Sequence, residues 1–396
     1  MNALEFSPRI FSVGVANPNM RTFDIVMHTE FGTTYNAYCV RGESKTALIE
    51  TVHVSKWDEY LENLSSVCDV SKVDYIVMNH TEPDHSGSLA KLLELAPQAT
   101  VVATVAALRF LKVICNRDFK SITVKDGMTI DLGGKTLRFI VAPNLHWPDS
   151  MFTYVPENKV IFTCDFLGAH YCETRGLLSQ MQHIPEYEDA FRHYFECIFG
   201  PFKKFVLAGL SKMQALEIEK VAVSHGPILD TGIAHAMELY KKWSTPEAGG
   251  KHAVIAYVSA YGYTRALAEI ARGELESKGF GVKIFDLTKI PAAEASAAAM
   301  SADVFLLGSP TINRDALPNA WDFIAHLDAV NVAGKHAGVF GSYGWTGEAV
   351  PALASRLAFL KCKVAGEGFR ANFKPSDGEL EGMRAYVSAL ADEVKK

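Results

Sequence analysis

The sequence predicts two α/β domains in succession: a sandwich of β-sheets flanked by helices over residues 1–248, and a doubly wound parallel sheet over 249–396. Three observations carry this. The chain has 396 residues, more than a single hydrophobic core usually serves. Short strand candidates crowd its first part, whereas strands and helices alternate regularly in its second. Between them the stretch KKWSTPEAGGKH (241–252) turns from a helix-like pattern to Ser, Thr, Pro and Gly-Gly before a new apolar run begins.

In the first part the strand candidates are, in order, TTYNAYCV, KTALIE, VDYIVM, TVVAT, TLRFIVA, MFTYVP, KVIFTC and VAVSH, interrupted by helical patterns such as SLAKLLELA and EDAFRHYFECIF. In the second, AVIAYVS, GVKIFDL, DVFLLGS and HAGVFGS alternate with helices. One of these, TRALAEIARGELESKG, puts Leu267, Ile270, Ala271 and Leu275 on a single face. That rhythm is the mark of a parallel sheet with helices on both sides. AAEASAAAM, preceded by Pro291, reads as an ordinary helix. There is no internal repeat.

Composition narrows the function classes. With 48% hydrophobic, 21% charged and 11% aromatic residues the chain is globular. Its formal charge of −6 offers no basic footprint for nucleic acid or an anionic membrane. The start MNALEFSPRIF lacks a basic segment followed by an apolar one, and no apolar run approaches the roughly 18 residues of a membrane span, so a cytoplasmic protein is expected. The seven cysteines are odd in number and form no C-x-x-C pair, which argues against a disulfide framework or a zinc ribbon.

The densest chemistry is HTEPDH (80–85), two histidines and two carboxylates in six positions directly after the apolar run VDYIVM. Further groups stand at the ends of other apolar runs: His146 after TLRFIVAPNL, Asp165 after KVIFTC, and His225 after KVAVS. If these strands lie side by side, their carboxyl ends gather His80, Glu82, Asp84, His85, His146, Asp165 and His225 at one edge of the sandwich. Any one of them alone would be an exposed or capped loop residue, and a degenerate sandwich retaining polar loops is the bland alternative. Repetition of the placement favours a metal site.

The pattern H-x-E-x-D-H, followed at long spacings by His, Asp and His, resembles the diiron variant of the metallo-β-lactamase fold found in flavodiiron proteins (A-type flavoproteins). Sixty residues separate His85 from His146, 18 separate His146 from Asp165, and 59 separate Asp165 from His225. By that resemblance His80, Glu82 and His146 hold one iron, Asp84, His85 and His225 the other, and Asp165 bridges them together with a hydroxo or oxo group. Zinc hydrolases of this fold have a histidine where Glu82 stands. The extra hard anionic oxygen favours a metal that must become trivalent.

The strand AVIAYV runs into SAYGYT (259–264) and a helix, an arrangement of hydroxyls and backbone N–H groups that suits a phosphate, although a Ser/Thr turn capping a helix would look the same. Two further loops, GSPTINR (308–314) and GSYGWTGE (341–348), also follow strands. Together the three resemble the FMN site of the family's flavodoxin-like half. The resemblance places Ser259, Tyr261, Gly262 and Thr264 on the phosphate, with Tyr263 standing where the family often has Asn. It sets Pro310, Thr311, Ile312 and Asn313 beside the ring, and Ser342, Tyr343, Gly344, Trp345 and Gly347 over it. Trp345 could equally be a packing residue.

The resemblance implies an oxidoreductase that reduces O2 to water, NO to N2O, or both, in a head-to-tail homodimer or a dimer of dimers that sets the flavin of one subunit beside the iron of the other. A separate rubredoxin-like protein is the expected electron donor. Two pocket positions stay open. Asp24 stands where many relatives have His and either hydrogen-bonds in the pocket or caps a turn; Tyr194 either donates to bound substrate or only packs with Ala190 and Ile198. A zinc hydrolase with a flavodoxin-like appendage and a non-enzymatic FMN electron carrier are the competing functions.

Overall fold

The computed structural model describes residues 2–24, 27–245 and 251–394, which form two compact units divided between Pro246 and Glu247. The boundary expected at 248/249 lies outside the described residues.

The first unit is an αββα sandwich. Its seven-stranded sheet runs, in spatial order, Leu4–Ser7, Ile10–Ser12, Tyr38–Arg41, Thr46–Ile49, Tyr75–Val77, Thr100–Ala103 and Ser121–Thr123; its five-stranded sheet runs Thr129–Asp131, Thr136–Val141, Met151–Val155, Val160–Cys164 and Lys220–Val223. Because side chains alternate across a strand, each sheet feeds two cores. Tyr38, Val40, Ala47, Ile49 and Val77 of one sheet meet Phe139, Met151, Val155, Phe162 and Ala222 of the other between the layers. The intervening Cys39, Leu48, Ile76, Phe152 and Ile161 face outward and join helix residues such as Tyr60, Leu64, Leu111, Leu210 and Tyr240.

Strand direction places the candidate site. Thr46–Ile49, Tyr75–Val77 and Thr100–Ala103 are mutually parallel, as are Val160–Cys164 and Lys220–Val223, so the turns carrying His80 and Glu82, Asp165, and His225 all follow carboxyl ends.

TTYNAYCV is not one strand. Thr33–Tyr35 pairs with Val15–Asn17 in a separate ribbon, and Tyr38–Arg41 enters the large sheet. The break falls at Asn36, whose side-chain amide donates to the carbonyls of Val223 and Gly226 at 2.8 and 2.9 Å. The chain abandons a continuous ladder to clasp the loop that carries His225. The helix predicted from EDAFRHYFECIF also differs: Ile184–Tyr194 is α-helical, but Phe195–Phe199 widens to a π-turn, which shifts the register so that Phe199 rather than Ile198 is buried.

The second unit is a doubly wound parallel sheet in the order Gly281–Asp286, His252–Tyr257, Val304–Gly308, His336–Tyr343 and Lys363–Val364, with Phe369–Asn372 also paired to His336–Tyr343. Val254, Ala256, Phe305 and Leu307 pack on one face against Ala295, Ala299, Phe323 and Leu353. Ala253, Ile255, Val304 and Leu306 pack on the other against Leu267, Ala271, Val387 and Leu390. Among the described residues no helix is long and apolar enough to cross a membrane.

Candidate metal centre and nucleotide loops

All seven predicted ligands converge in the first unit, and Asp165 divides them into two sets. Its Oδ2 lies 3.6 Å from His80 Nε2 and 3.5 Å from His146 Nε2, while Glu82 Oε2 is 3.4 and 3.0 Å from the same two nitrogens. Its Oδ1 lies 3.1 Å from His85 Nε2 and 3.5 Å from His225 Nε2, with Asp84 Oδ2 3.2 and 3.0 Å from that pair. Two ligand atoms each about 2.0–2.2 Å from a shared ion stand about 3 to 3.6 Å apart. Contacts of the same length could be hydrogen bonds, but both oxygens of Asp84 and of Asp165 and Nε2 of His85 are buried with no hydrogen-bond partner. His80 Nε2 and Glu82 Oε2 do form a hydrogen bond at 3.4 Å, but buried carboxylate oxygens left unpartnered beside imidazole nitrogens are the signature of donors arranged around ions.

The electrostatics agree. Burial opposes charge on His80 and His85, yet the carboxylates prevail: His80 is held well above the ordinary imidazole range by Asp149 and Glu82, and His85 rises to about 10 through Asp84 and Asp165. Burial likewise opposes ionisation of Glu82 and Asp165, and the neighbouring imidazoles hold both below the usual carboxylate range. The site is one in which cations can take the place of imidazole protons.

Four residues packed behind or beside the ligands, Asp149, Thr34, Gly226 and His170, were absent from the sequence reading. Asp149, fully buried, accepts from His80 Nδ1 at 3.1 and 3.2 Å and from the Thr81 hydroxyl at 2.7 Å, fixing the ring so that Nε2 faces Asp165. The Thr34 carbonyl does the same for His225, accepting from Nδ1 at 2.6 Å, and the Thr34 hydroxyl accepts from Gly226 N at 2.8 Å. Gly226 sits at φ +87°, and a Cβ there would meet Ala169 O at 2.7 Å, so the tight turn behind His225 needs glycine. His170, also buried, lies 4.8 Å from the His225 ring, and burial followed by the His225 charge holds its pKa well below the ordinary value. Asp149 had a legible signal, since it follows His146 by three positions in one loop; nothing in the sequence marks His170.

Asp24 lies at the rim, exposed on one side and against Glu82 on the other, at φ +47°. Burial on its inner side and then the charges of Glu82 and Asp84 raise its carboxyl to about 6. Tyr194 is buried, its ring 4.9 Å from His170, 6.1 Å from His225 and 6.1 Å from Phe199; burial and then Asp165 push its phenol well above its usual value.

In the second unit the three predicted loops follow the neighbouring parallel strands His252–Tyr257, Val304–Gly308 and His336–Tyr343. The first two border the point where strand order reverses, the usual crevice for a ligand in such a sheet. Gly262, at φ +85°, starts the 15-residue helix Tyr263–Ser277, and the Ser259 hydroxyl accepts from Arg265 N at 3.2 Å. Thr264 Oγ1 reaches Ser342 Oγ at 3.0 Å, tying the first loop to the third, and Thr311 Oγ1 accepts from Ala349 N at 3.2 Å, tying the second to the helix after the third. Pro310 precedes a two-residue hairpin, Thr311–Ile312 paired with Asp315–Ala316, whose turn residues Asn313 and Arg314 both have positive φ. Tyr343, Gly344 and Gly347 form the third loop, whose Trp345 is 85% exposed; Tyr261 in the first loop is 83% exposed, with Tyr263 6.5 Å from it. Two large rings left in solvent beside a hydroxyl-lined helix N-terminus fit a planar phosphorylated ligand.

Comparison with known proteins agrees with both halves. The family described as ODP family beta lactamase matches residues 33–226, and Flavodoxin matches 255–386. A flavo-diiron protein, FprA2, of Clostridium acetobutylicum is 46% identical over all of both chains, and a type A flavoprotein of Rhodobacter capsulatus is 37% identical over 98% of this chain and 91% of its own. Among solved structures, rubredoxin oxygen:oxidoreductase from Desulfovibrio gigas superposes with a TM-score of 0.73 at 26% identity, covering 100% of this chain and 99% of the other. The Giardia intestinalis flavodiiron protein gives 0.70 at 27%, covering 100% and 97%. Similarity that runs the full length, and unites a β-lactamase-like sandwich with a flavodoxin domain, leaves one assignment: this chain belongs to the flavodiiron (type A) flavoprotein family of oxidoreductases.

Proposed function

We propose that the protein reduces O2 to water, NO to N2O, or both, using two non-haem irons in the first unit and FMN in the second. The observation that carries this reading is the divided cluster, in which one oxygen of Asp165 faces each set of ligands and all four carboxylate oxygens of Asp84 and Asp165 lack hydrogen bonds. Buried carboxylates left unpaired are costly enough that cations are their natural partners. His80, Glu82 and His146 would hold one iron, Asp84, His85 and His225 the other, and Asp165 both. Glu82, a hard anionic donor, favours iron over the zinc of hydrolases on this fold.

When bound, the irons and FMN supply the electrons and the positions at which the gas is reduced. The protein's part is orientation and control of protons. Asp149 and the Thr34 carbonyl keep the inward nitrogens of His80 and His225 free of protons once a cation is present. Tyr194, buried with its ring 6.1 Å from that of His225, fixes the shape of the pocket on that side. Asp24 stands at the rim against Glu82, where burial and then the carboxylates of Glu82 and Asp84 raise its carboxyl to about 6 in the metal-free protein. In the second unit Ser259, Tyr261, Gly262, Tyr263 and Thr264 would receive the phosphate. Pro310, Thr311, Ile312 and Asn313 would flank the ring, and Ser342, Tyr343, Gly344, Trp345 and Gly347 would cover it.

Each unit leaves apolar surface beside its own site. Phe110 lies 6.4 Å from Trp147, which is 6.1 Å from His146, and on the same helix Val105 is 56% and Val113 80% exposed. Together with the exposed Tyr261 and Trp345, this favours a head-to-tail homodimer that brings one subunit's flavin to the other's irons. A rubredoxin-like donor is supported by the similarity to the rubredoxin oxygen:oxidoreductase of Desulfovibrio gigas.

The test is anaerobic reduction of the purified protein followed by rapid mixing with O2 or NO in separate runs. Oxidation of flavin and iron, with water or N2O as product, is expected. Zinc in place of iron with ester or thioester cleavage would establish the hydrolase instead, and gas consumption surviving His146→Ala would leave only a flavin carrier.

A further inference from the structure

Beside the metal centre, on the His225 side, the first unit contains a cavity of about 250 Å3 lined by Thr29, Phe31, His170, Ala190, His193 and Tyr194 among others. Its outer wall is exposed, at His28 and His193; its inner wall, His170 and Tyr194, stands 4.8 and 6.1 Å from the His225 ring. Two of the lining residues are unfinished. Thr29, 2% exposed, has a hydroxyl with no hydrogen-bond partner, and His170, 4% exposed, uses Nδ1 on the Thr33 hydroxyl at 2.9 Å but leaves Nε2 unpartnered. Buried polar atoms in this condition are normally completed by ordered water, and a cavity of this size has room for several molecules.

The reaction makes such water useful. Reducing one O2 to two waters takes up four electrons and four protons, and coupling two NO to N2O and water takes up two of each. The electrons come through the flavin, whereas the protons must come from solvent to a cluster whose side chains are at most 19% exposed. On the Asp84, His85 and His225 side exposure is 6% or less. We propose that this cavity is a water-filled proton inlet to the metal centre, its innermost water held between Thr29 Oγ1 and His170 Nε2. His170 serves as a fixed hydrogen-bonding post and a positioning residue, and the protons travel along water. The proton role rests on the gas-reductase reading; the water site does not.

Two measurements on the full-length protein test it. In a high-resolution crystal structure of the metal-free form, an ordered water bonded to both atoms is expected, and Thr29→Val should remove it. In the loaded enzyme, Ala190→Leu, which fills the cavity without touching the ligands, and Thr29→Val should lower kcat by about tenfold and enlarge the solvent deuterium isotope effect, with KM for the gas unchanged. A dry cavity would overturn the site. Wild-type kcat and isotope effect in both variants would overturn the proton role, as would a raised KM at unchanged kcat, which would mark a path for gas. If the wild-type protein holds its metals yet reduces neither gas, the functional reading fails and the proton role with it, while the crystal still decides whether the water site exists.

Discussion

In the metal cluster no ligand side chain is more than 19% exposed, and His80 and His225 are each held from behind by a buried acceptor; in the nucleotide loops Tyr261 and Trp345 are more than 80% exposed. The first site is therefore pre-organised by the folded chain, with its donor atoms already at the separations that shared ions require. The second is a set of turns whose hydroxyls and glycines are in place but whose covering rings wait for something to cover. The contrast predicts that single changes in the cluster should be felt through geometry, and those in the loops through lost contact area.

The largest effect is expected from Asp165→Asn, which removes the oxygen charge facing both sets of ligands. Both metals should be lost while flavin stays bound, with gas reduction falling further than the roughly 10–100-fold that outer partners command; metal analysis with a flavin spectrum checks this. Asp149→Asn comes next. It leaves all seven ligands in place but loosens His80, so metal affinity should drop by about 10–100-fold in competition with a chelator, with flavin affinity unmoved. If affinity holds, the cluster is not pre-organised from behind and the comparison with the loops collapses.

Trp345→Ala should do the converse, raising the FMN dissociation constant by about tenfold, the order expected of one stacked ring, without altering metal content. An unchanged flavin titration would make Trp345 a bystander. The smallest expected effect is on pH dependence. In the metal-free protein burial alone would lower the His85 pKa, but Asp84 and Asp165 raise it from 6.5 to about 10. A folded value above the unfolded one stabilises the metal-free fold fully below about pH 6.5, and that contribution is lost as pH rises through 10. A bound cation replaces the proton, so the gap in Tm between loaded and metal-free protein should widen from pH 6.5 towards 10; a constant gap would count against proton displacement.

Much of this is legible in the amino-acid sequence. Strands ending in His, Asp or Glu revealed the cluster because a parallel arrangement must bring carboxyl ends to one edge, and the βα alternation after residue 251 revealed the second sheet. What escaped the sequence was whatever depends on contact between distant segments. Asn36 reads as a strand residue until the carbonyls of Val223 and Gly226 draw it out of the ladder. His170 is one imidazole among 13 histidines until burial beside His225 and the unpartnered Nε2 single it out. The π-turn at Phe195–Phe199 follows from tertiary packing that no 3.6-residue periodicity records.

Anomalous diffraction across the iron and zinc absorption edges, on crystals of protein purified without added metal, tests the central claim most directly. The account predicts two iron peaks among these seven side chains, one on each side of Asp165. Zinc peaks, a single peak, or none would contradict it.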